Sequence, residues 1–241
     1  MEGPLPDMNR KLTNKIRFVL DEFLPPIIRD SYWFMYPIFF ILYKGKDIKR
    51  KMNFKSLAYT LPENKLNELY KEVDIVSRNR QTDLAKSNIK YILDIIQDGQ
   101  SVLDAGCGKG YLLNRIKQVY PLCTLQGLDL EDHLEYEGIH FISGTVTAIP
   151  FPDNYFDIVI CTHTIEHIIS LDKAIDELVR VTKKRLIVVT PCQRYFYYTL
   201  DGHVNFFYNE EELLRHFPLK SFVCKKLDMD WIYTGDKSFS G

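Results

Sequence analysis

Apolar and polar positions along the chain fall into two regimes that meet near residue 98. Downstream, short apolar runs alternate with stretches of helical spacing. Residues 101–103 read as the end of a buried strand, and 111–113 open a helix running to about residue 119. Further strands are predicted at 124–129 and 139–143, a turn-rich loop followed by a strand at 147–161, and strands at 185–190 and 222–231. A helix is predicted over 171–181, and Asn209 with Glu210, Glu211 and Glu212 caps a short one. Upstream, the spacing is helical throughout: 12–23, ended by Pro25-Pro26, then 64–76, then 83–96 with Ala85, Ile89, Ile92 and Ile96 on one face. Strands that alternate with helices predict a doubly wound, mostly parallel α/β sheet. The division that results is a helical N-terminal lid or acceptor region at 1–80 and the α/β domain at 81–241.

The most apolar stretch, 31–43, is aromatic and contains Pro37. It is shorter than the roughly 20 residues that span a bilayer. Lys44, Lys46, Lys49, Arg50, Lys51 and Lys55 follow it. Two readings stand side by side: a lid packed over the α/β domain with solvated lysines beyond, or weak peripheral contact with an anionic membrane.

Charge and cysteines narrow the class. Residues 1–98 hold 17 of the 31 basic groups and 13 of the 32 acidic ones, so the front is mildly basic and the back mildly acidic. A net charge of −1 gives no reason to expect a nucleic-acid partner. Five cysteines without a C-x-x-C pair argue against a disulfide framework or a zinc site, and point to a reducing cytoplasm. The polar N-terminus lacks the apolar core of a signal peptide.

The candidate chemistry starts at Asp104-Ala105-Gly106-Cys107-Gly108-Lys109-Gly110, between the first strand and its helix. Strand, glycine turn and helix form the nucleotide entry of a doubly wound sheet, with glycines where a ligand lies against backbone. The dinucleotide pattern G-x-G-x-x-G fails, because Tyr111 stands at its last glycine. No Lys-Ser/Thr pair follows, which excludes a Walker loop, and an acid before the first glycine suits a cationic ligand. Asp129 ends the second strand, where a carboxylate accepts hydrogen bonds from both ribose hydroxyls.

The segment 101–113 resembles the first motif of the class I S-adenosylmethionine-dependent methyltransferases, which reads like VLDAGCGKG. Residues 147–161, Thr-Ala-Ile-Pro-Phe-Pro-Asp-Asn-Tyr-Phe-Asp-Ile-Val-Ile-Cys, resemble the family's A-L-P-F-P-D-N-S-F-D-V-V segment. The resemblance covers about 82–191. It implies a seven-stranded Rossmann-like sheet and S-adenosyl-L-methionine as cofactor, with Asp104 at its methionine end. Ala105, Gly106, Gly108, Gly110, Asp129, Leu130 and Thr162 would complete that site. Where the family often has Gly-Asp to bind the adenine amino group, this chain has Gly144-Thr145, which shifts adenine recognition toward Val146 and backbone groups. Arg78 and Arg80 are candidates for the cofactor carboxylate.

Methyl transfer to a hydroxyl needs a base. His203, His167 and His163 lie in segments expected at the carboxyl edge of the sheet, with Glu166 placed to orient one of them. No ligand spacing supports a metal. Tyr32, Arg194, Tyr195 and Tyr198 are candidates for acceptor binding, and an anionic acceptor would need Arg194 or a tyrosine rather than a base. Residues 24–37 resemble the leader of methyltransferases encoded with bacterial surface-polysaccharide enzymes. That resemblance implies O-methylation of a capsular or surface-glycan precursor, or of its phosphoramidate group, on a small-molecule or sugar-nucleotide acceptor. N-methylation of an amino sugar or small amine, and a non-catalytic binding module, are the alternatives.

Overall fold

The computed structural model describes residues 19, 23–73 and 80–237. The predicted helix at 12–23 falls almost wholly outside them, as does Arg78. The chain divides into two units. The first is Met1–Asp83 with Gln193–Phe206, and the second is Leu84–Cys192 with Phe207–Gly241. Residues 193–206 belong with the front helices in this division.

In the second unit, helix α6 (Lys86–Ile95) precedes strand β1 (Ser101–Ala105), and helix α7 (Tyr111–Val119) follows it. Then come β2 (Thr124–Asp129), β3 (His140–Ser143), β4 (Phe156–Thr162), a 3₁₀ turn (Ile165–His167) and α8 (Leu171–Val181). The rest is β5 (Thr182–Pro191), α9 (Glu210–Leu214), β6 (Ser221–Leu227) and β7 (Asp230–Asp236). The seven strands lie in the order β3-β2-β1-β4-β5-β7-β6. The first five are mutually parallel, and β7 runs antiparallel to both of its neighbours, β5 and β6. The predicted single strand at 222–231 is thus a hairpin, turned at Asp228 and Met229. Asp228 has a φ of 55°, a left-handed conformation that no glycine or proline advertises in the sequence.

Each sheet face buries its own cluster. Leu171, Ala174, Ile175, Leu178 and Val181 of α8 pack with Leu103, Val159, Cys161, Leu186 and Val188. On the other face, Ile89 and Ile92 of α6 and Leu112, Leu113 and Ile116 of α7 pack with Val102, Ile158, Ile160 and Ile187. Strand residues one apart point to opposite faces, so the continuous apolar runs of β4 and β5 are those of strands covered on both sides. The capping box predicted at Asn209 is present, with Glu212 N donating to Asn209 Oδ1 over 2.9 Å.

The first unit contains α1 (Pro26–Arg29), α2 (Tyr32–Leu42), α3 (Ile48–Met52), α4 (Phe54–Ala58) and α5 (Glu63–Val73). Pro37 does not stop α2, which runs through it. Met35, Phe39 and Tyr43, one helical turn apart each, bury with Ile48, Met52 and Tyr198. Phe54, Ala58, Leu69, Val73 and Val204 form a second cluster. Lys51 and Lys55, read from the sequence with the solvated cluster, are both buried. No helix among the described residues is long and apolar enough to cross a membrane.

Candidate active site

The carboxyl ends of β1 and β2 build the site's centre. Gly106 N and Cys107 N both donate to Leu128 O, over 2.8 and 3.1 Å, folding the turn after β1 over the neighbouring strand. Gly106, Gly108 and Gly110 all have positive φ. A Cβ on Gly106 would lie 2.2 Å from Thr164 Oγ1, and one on Gly110 2.6 Å from Leu134 Cδ2. The sequence reading assigns these glycines to ligand clearance; here Gly106 and Gly110 make room for the protein itself. At Gly108 a Cβ would meet nothing within 4 Å, leaving that stretch of backbone open.

Asp129 is held at the end of β2 by two backbone donors. Gly108 N reaches Oδ2 over 2.8 Å and Leu130 N reaches Oδ1 over 2.7 Å. Each oxygen keeps a further acceptor position, as a vicinal diol requires. Leu130 is half exposed beside it. Asp104 differs: it is buried, and its Oδ1 has no hydrogen-bond partner among the described residues. Burial, with Asp129 nearby, raises its pKa to about 7. A buried carboxylate short of a partner fits an ammonium group. S-adenosylmethionine offers an ammonium, a ribose diol and an adenine ring, and Asp104, Asp129 and the open backbone at Gly108 fit the first two.

The remaining cofactor candidates take diverse places. Ala105 is fully buried and offers only backbone. Thr162 ends β4, its carbonyl accepting from Thr164 Oγ1 over 3.0 Å. Thr145 Oγ1 lies 3.0 Å from Thr147 Oγ1 and accepts from Thr147 N over 3.3 Å, so its hydroxyl is engaged in its own turn. Val146 is buried in the α8-side cluster. Arg80, in the first unit, donates to Asp83 Oδ1 over 2.6 Å.

The histidines separate by environment. His163 sits past the end of β4 with a φ of 50°. Its Nδ1 lies 3.4 Å from Glu166 Oε1 and its Nε2 3.6 Å from Asp230 Oδ2. Burial pulls its pKa down, but the Asp230 and Glu166 carboxylates outweigh that and raise it to about 10. Two facing carboxylates favour the charged form of the His163 imidazole. Asn88 Nδ2 donates to Asp230 Oδ2 over 2.6 Å, and Thr190 Oγ1 to Glu166 Oε2 over 3.2 Å. The sequence reading missed Asp230 and Asn88, which lie 67 residues after and 75 before His163, with no local signal. His167 ends the 3₁₀ turn, partly exposed.

In the first unit, His203 is buried. Its Nδ1 lies 2.8 Å from Gln193 Oε1 and 3.3 Å from Asp201 Oδ2. Two acceptors at Nδ1 call for a proton there, which puts the neutral ring's lone pair on Nε2. Of the acceptor candidates, Tyr32 and Tyr198 pack edge to face in the α2 cluster, centroids 6.5 Å apart. Tyr195 is exposed on one side, and its carbonyl accepts from Arg29 Nη2 over 2.5 Å. Arg194 is partly buried next to it in the chain. Lys55 sets the conformation of this segment: it donates to Phe196 O, and its Nζ lies 4.0 and 3.9 Å from the Tyr195 and Phe206 ring centroids. Burial lowers its pKa to about 7, against Asp201 and Asp30.

A sheet of five parallel strands ending in an antiparallel hairpin, with a glycine turn after β1 and an acid closing β2, defines the class I methyltransferase fold. Residues 103–189 match the family model described as a methyltransferase domain. Residues 103–189 are therefore similar to methyltransferase domains, a likeness that supports S-adenosylmethionine as the cofactor. It is 31% identical over 106 residues to the ubiquinone/menaquinone biosynthesis C-methyltransferase UbiE of Vibrio vulnificus, covering 38% of this chain and 41% of that protein. It is 30% identical over 102 residues to the ajmaline N-methyltransferase of Rauvolfia serpentina, covering 37% and 35%. The chain thus spans well under half the length of these relatives. A solved structure of a SAM-dependent methyltransferase from Aquifex aeolicus shares the fold, with a TM-score of 0.51 and 18% identity over 70% of this chain and 96% of that one.

Proposed function

We propose that the whole protein transfers a methyl group from S-adenosylmethionine to a hydroxyl of a small-molecule or sugar-nucleotide acceptor. The observation that carries this reading is the buried Asp104 carboxylate, with its unpartnered Oδ1, set beside the open Gly108 backbone and the doubly anchored Asp129. When bound, S-adenosylmethionine supplies an electrophilic methyl on a sulfonium. Asp104 would hold the ammonium and Asp129 the two ribose hydroxyls, with Leu130 and Val146 beside the adenine. His203 would act as base: Asp201 and Gln193 keep the proton on Nδ1, leaving Nε2 to take the hydroxyl proton, while the methyl's bond to sulfur would break as its bond to the acceptor oxygen forms, with the thioether as leaving group. Tyr32, Arg194, Tyr195 and Tyr198 bind the acceptor.

The resemblance of residues 24–37 to leaders of surface-polysaccharide methyltransferases supports a capsular or surface-glycan precursor, or its phosphoramidate group, as acceptor. The relatives methylate carbon and nitrogen by their names, so an amine acceptor is the second reading. The test is methyl transfer from labelled cofactor to a panel of nucleotide sugars and amino sugars, with the product bond assigned by mass spectrometry. A methyl ether on a sugar supports the first reading; a methylamine supports the second. No product with any acceptor, together with no cofactor binding, would leave a binding module.

A further inference from the structure

Helix α2 is apolar on every side, and only one side is covered. Met35, Phe39 and Tyr43 face the core of their own unit. At about 100° per residue, Trp33, Pro37, Phe40 and Ile41 form the roughly opposite face, and all four are exposed. Trp33 is 85% exposed and Ile41 74%. Ile27 and Ile28 of α1 add further exposed apolar surface close by in the chain. A run of this kind marks an interaction surface rather than the scattered apolar residues of an ordinary exterior.

The flanking charge selects the partner. The turn after α2 carries exposed Lys44 and Lys46, and Lys49 follows in α3. That turn lies against the exposed face: a Cβ on Gly45 would be 3.2 Å from the Phe40 ring, and Gly45 N donates to Phe40 O over 2.9 Å. Arg50 is paired with Glu72 at 3.0 Å, and Asp47 is the one acid between Lys44 and Lys49. We propose that the exposed face of α2 and the lysines beyond it form a peripheral docking surface for an anionic lipid bilayer. Trp33 and Phe40 would enter the boundary between headgroups and acyl chains, where an indole satisfies both sides. Lys44, Lys46 and Lys49 would meet the lipid phosphates. A second copy of this chain fits less well, because a two-fold contact would set lysines against lysines.

Co-sedimentation of the full chain with vesicles tests this. Vesicles containing phosphatidylserine should pull the protein down, and pure phosphatidylcholine vesicles should do so far less. Binding should fall with added salt, because exposed charges are screened. A Trp33→Ser, Phe40→Ser, Ile41→Ser triple variant should lower the partition coefficient by roughly tenfold or more. A Lys44→Glu, Lys46→Glu variant should do the same while keeping the parent's thermal midpoint. The proposal is overturned if phosphatidylserine vesicles bind no more protein than phosphatidylcholine ones. It is overturned equally if both variants bind like the parent, or if the triple variant abolishes a self-association that persists without lipid.

Discussion

Asp104 and His163 both have raised pKa values, Asp104 through burial and His163 through two carboxylates, so both contributions to stability are lost as pH rises. Asp104 has its pKa raised by burial from 3.8 to about 7, so the folded state holds its proton more tightly than the unfolded chain does. The Asp104 contribution to the stability of the cofactor-free protein should therefore fall as pH rises from 3.8 to 7 and level off above. Asp104→Asn should remove that slope and raise stability near pH 8 by about 1–2 kcal/mol, while abolishing cofactor binding. Denaturant titrations at pH 5 and 8 check the first part, and calorimetry checks the second. His163 has its pKa raised from 6.5 to about 10. Its stabilisation is whole below 6.5 and is lost as pH climbs through 10. His163→Ala leaves Glu166 and Asp230 buried together and should cost roughly 3–5 kcal/mol in urea denaturation at pH 7. If His163 were the base instead, the substitution would reduce turnover with little effect on stability.

Elements rather than single residues determine where these groups stand. The glycine turn is legible because strand, G-x-G-x-G and helix are contiguous, and so is Asp129 at a strand end 25 residues past Asp104. What stays hidden is what those glycines make room for. Thr164 lies against Gly106 across the sheet edge, 58 residues away in sequence. Gly106→Ala should destabilise the protein by roughly 1–3 kcal/mol through that clash and the positive φ, seen as a lowered thermal midpoint. The β6–β7 hairpin was missed for a related reason, since an Asp-Met turn carries no signal that period-2 patterning can read. Lys55 was misread because a basic run looks solvated until the aromatic segment 195–206 folds around it.

On the scale of the whole molecule, the sheet unit and the helical unit are built by different rules. The sheet unit is recognisable from local motifs, and residues 103–189 carry the match to the methyltransferase domain. The helical unit draws 193–206 away from its neighbours in sequence, a long-range association that periodicity cannot reveal. His203 belongs to that segment. His203→Ala should lower turnover by roughly 10²–10⁴ with cofactor affinity nearly unchanged, measured by single-turnover methyl transfer and calorimetry. A loss below about tenfold would assign proton removal to His167 or to an acceptor already anionic.

The most direct test of the account is calorimetric titration of S-adenosylmethionine into the full chain and into its Asp129→Ala variant. The account predicts saturable binding at one site per chain, weakened in the variant by roughly 1.5–3 kcal/mol, the worth of hydrogen bonds to a charged group. No binding to the parent chain, or equal affinity in the variant, would contradict it.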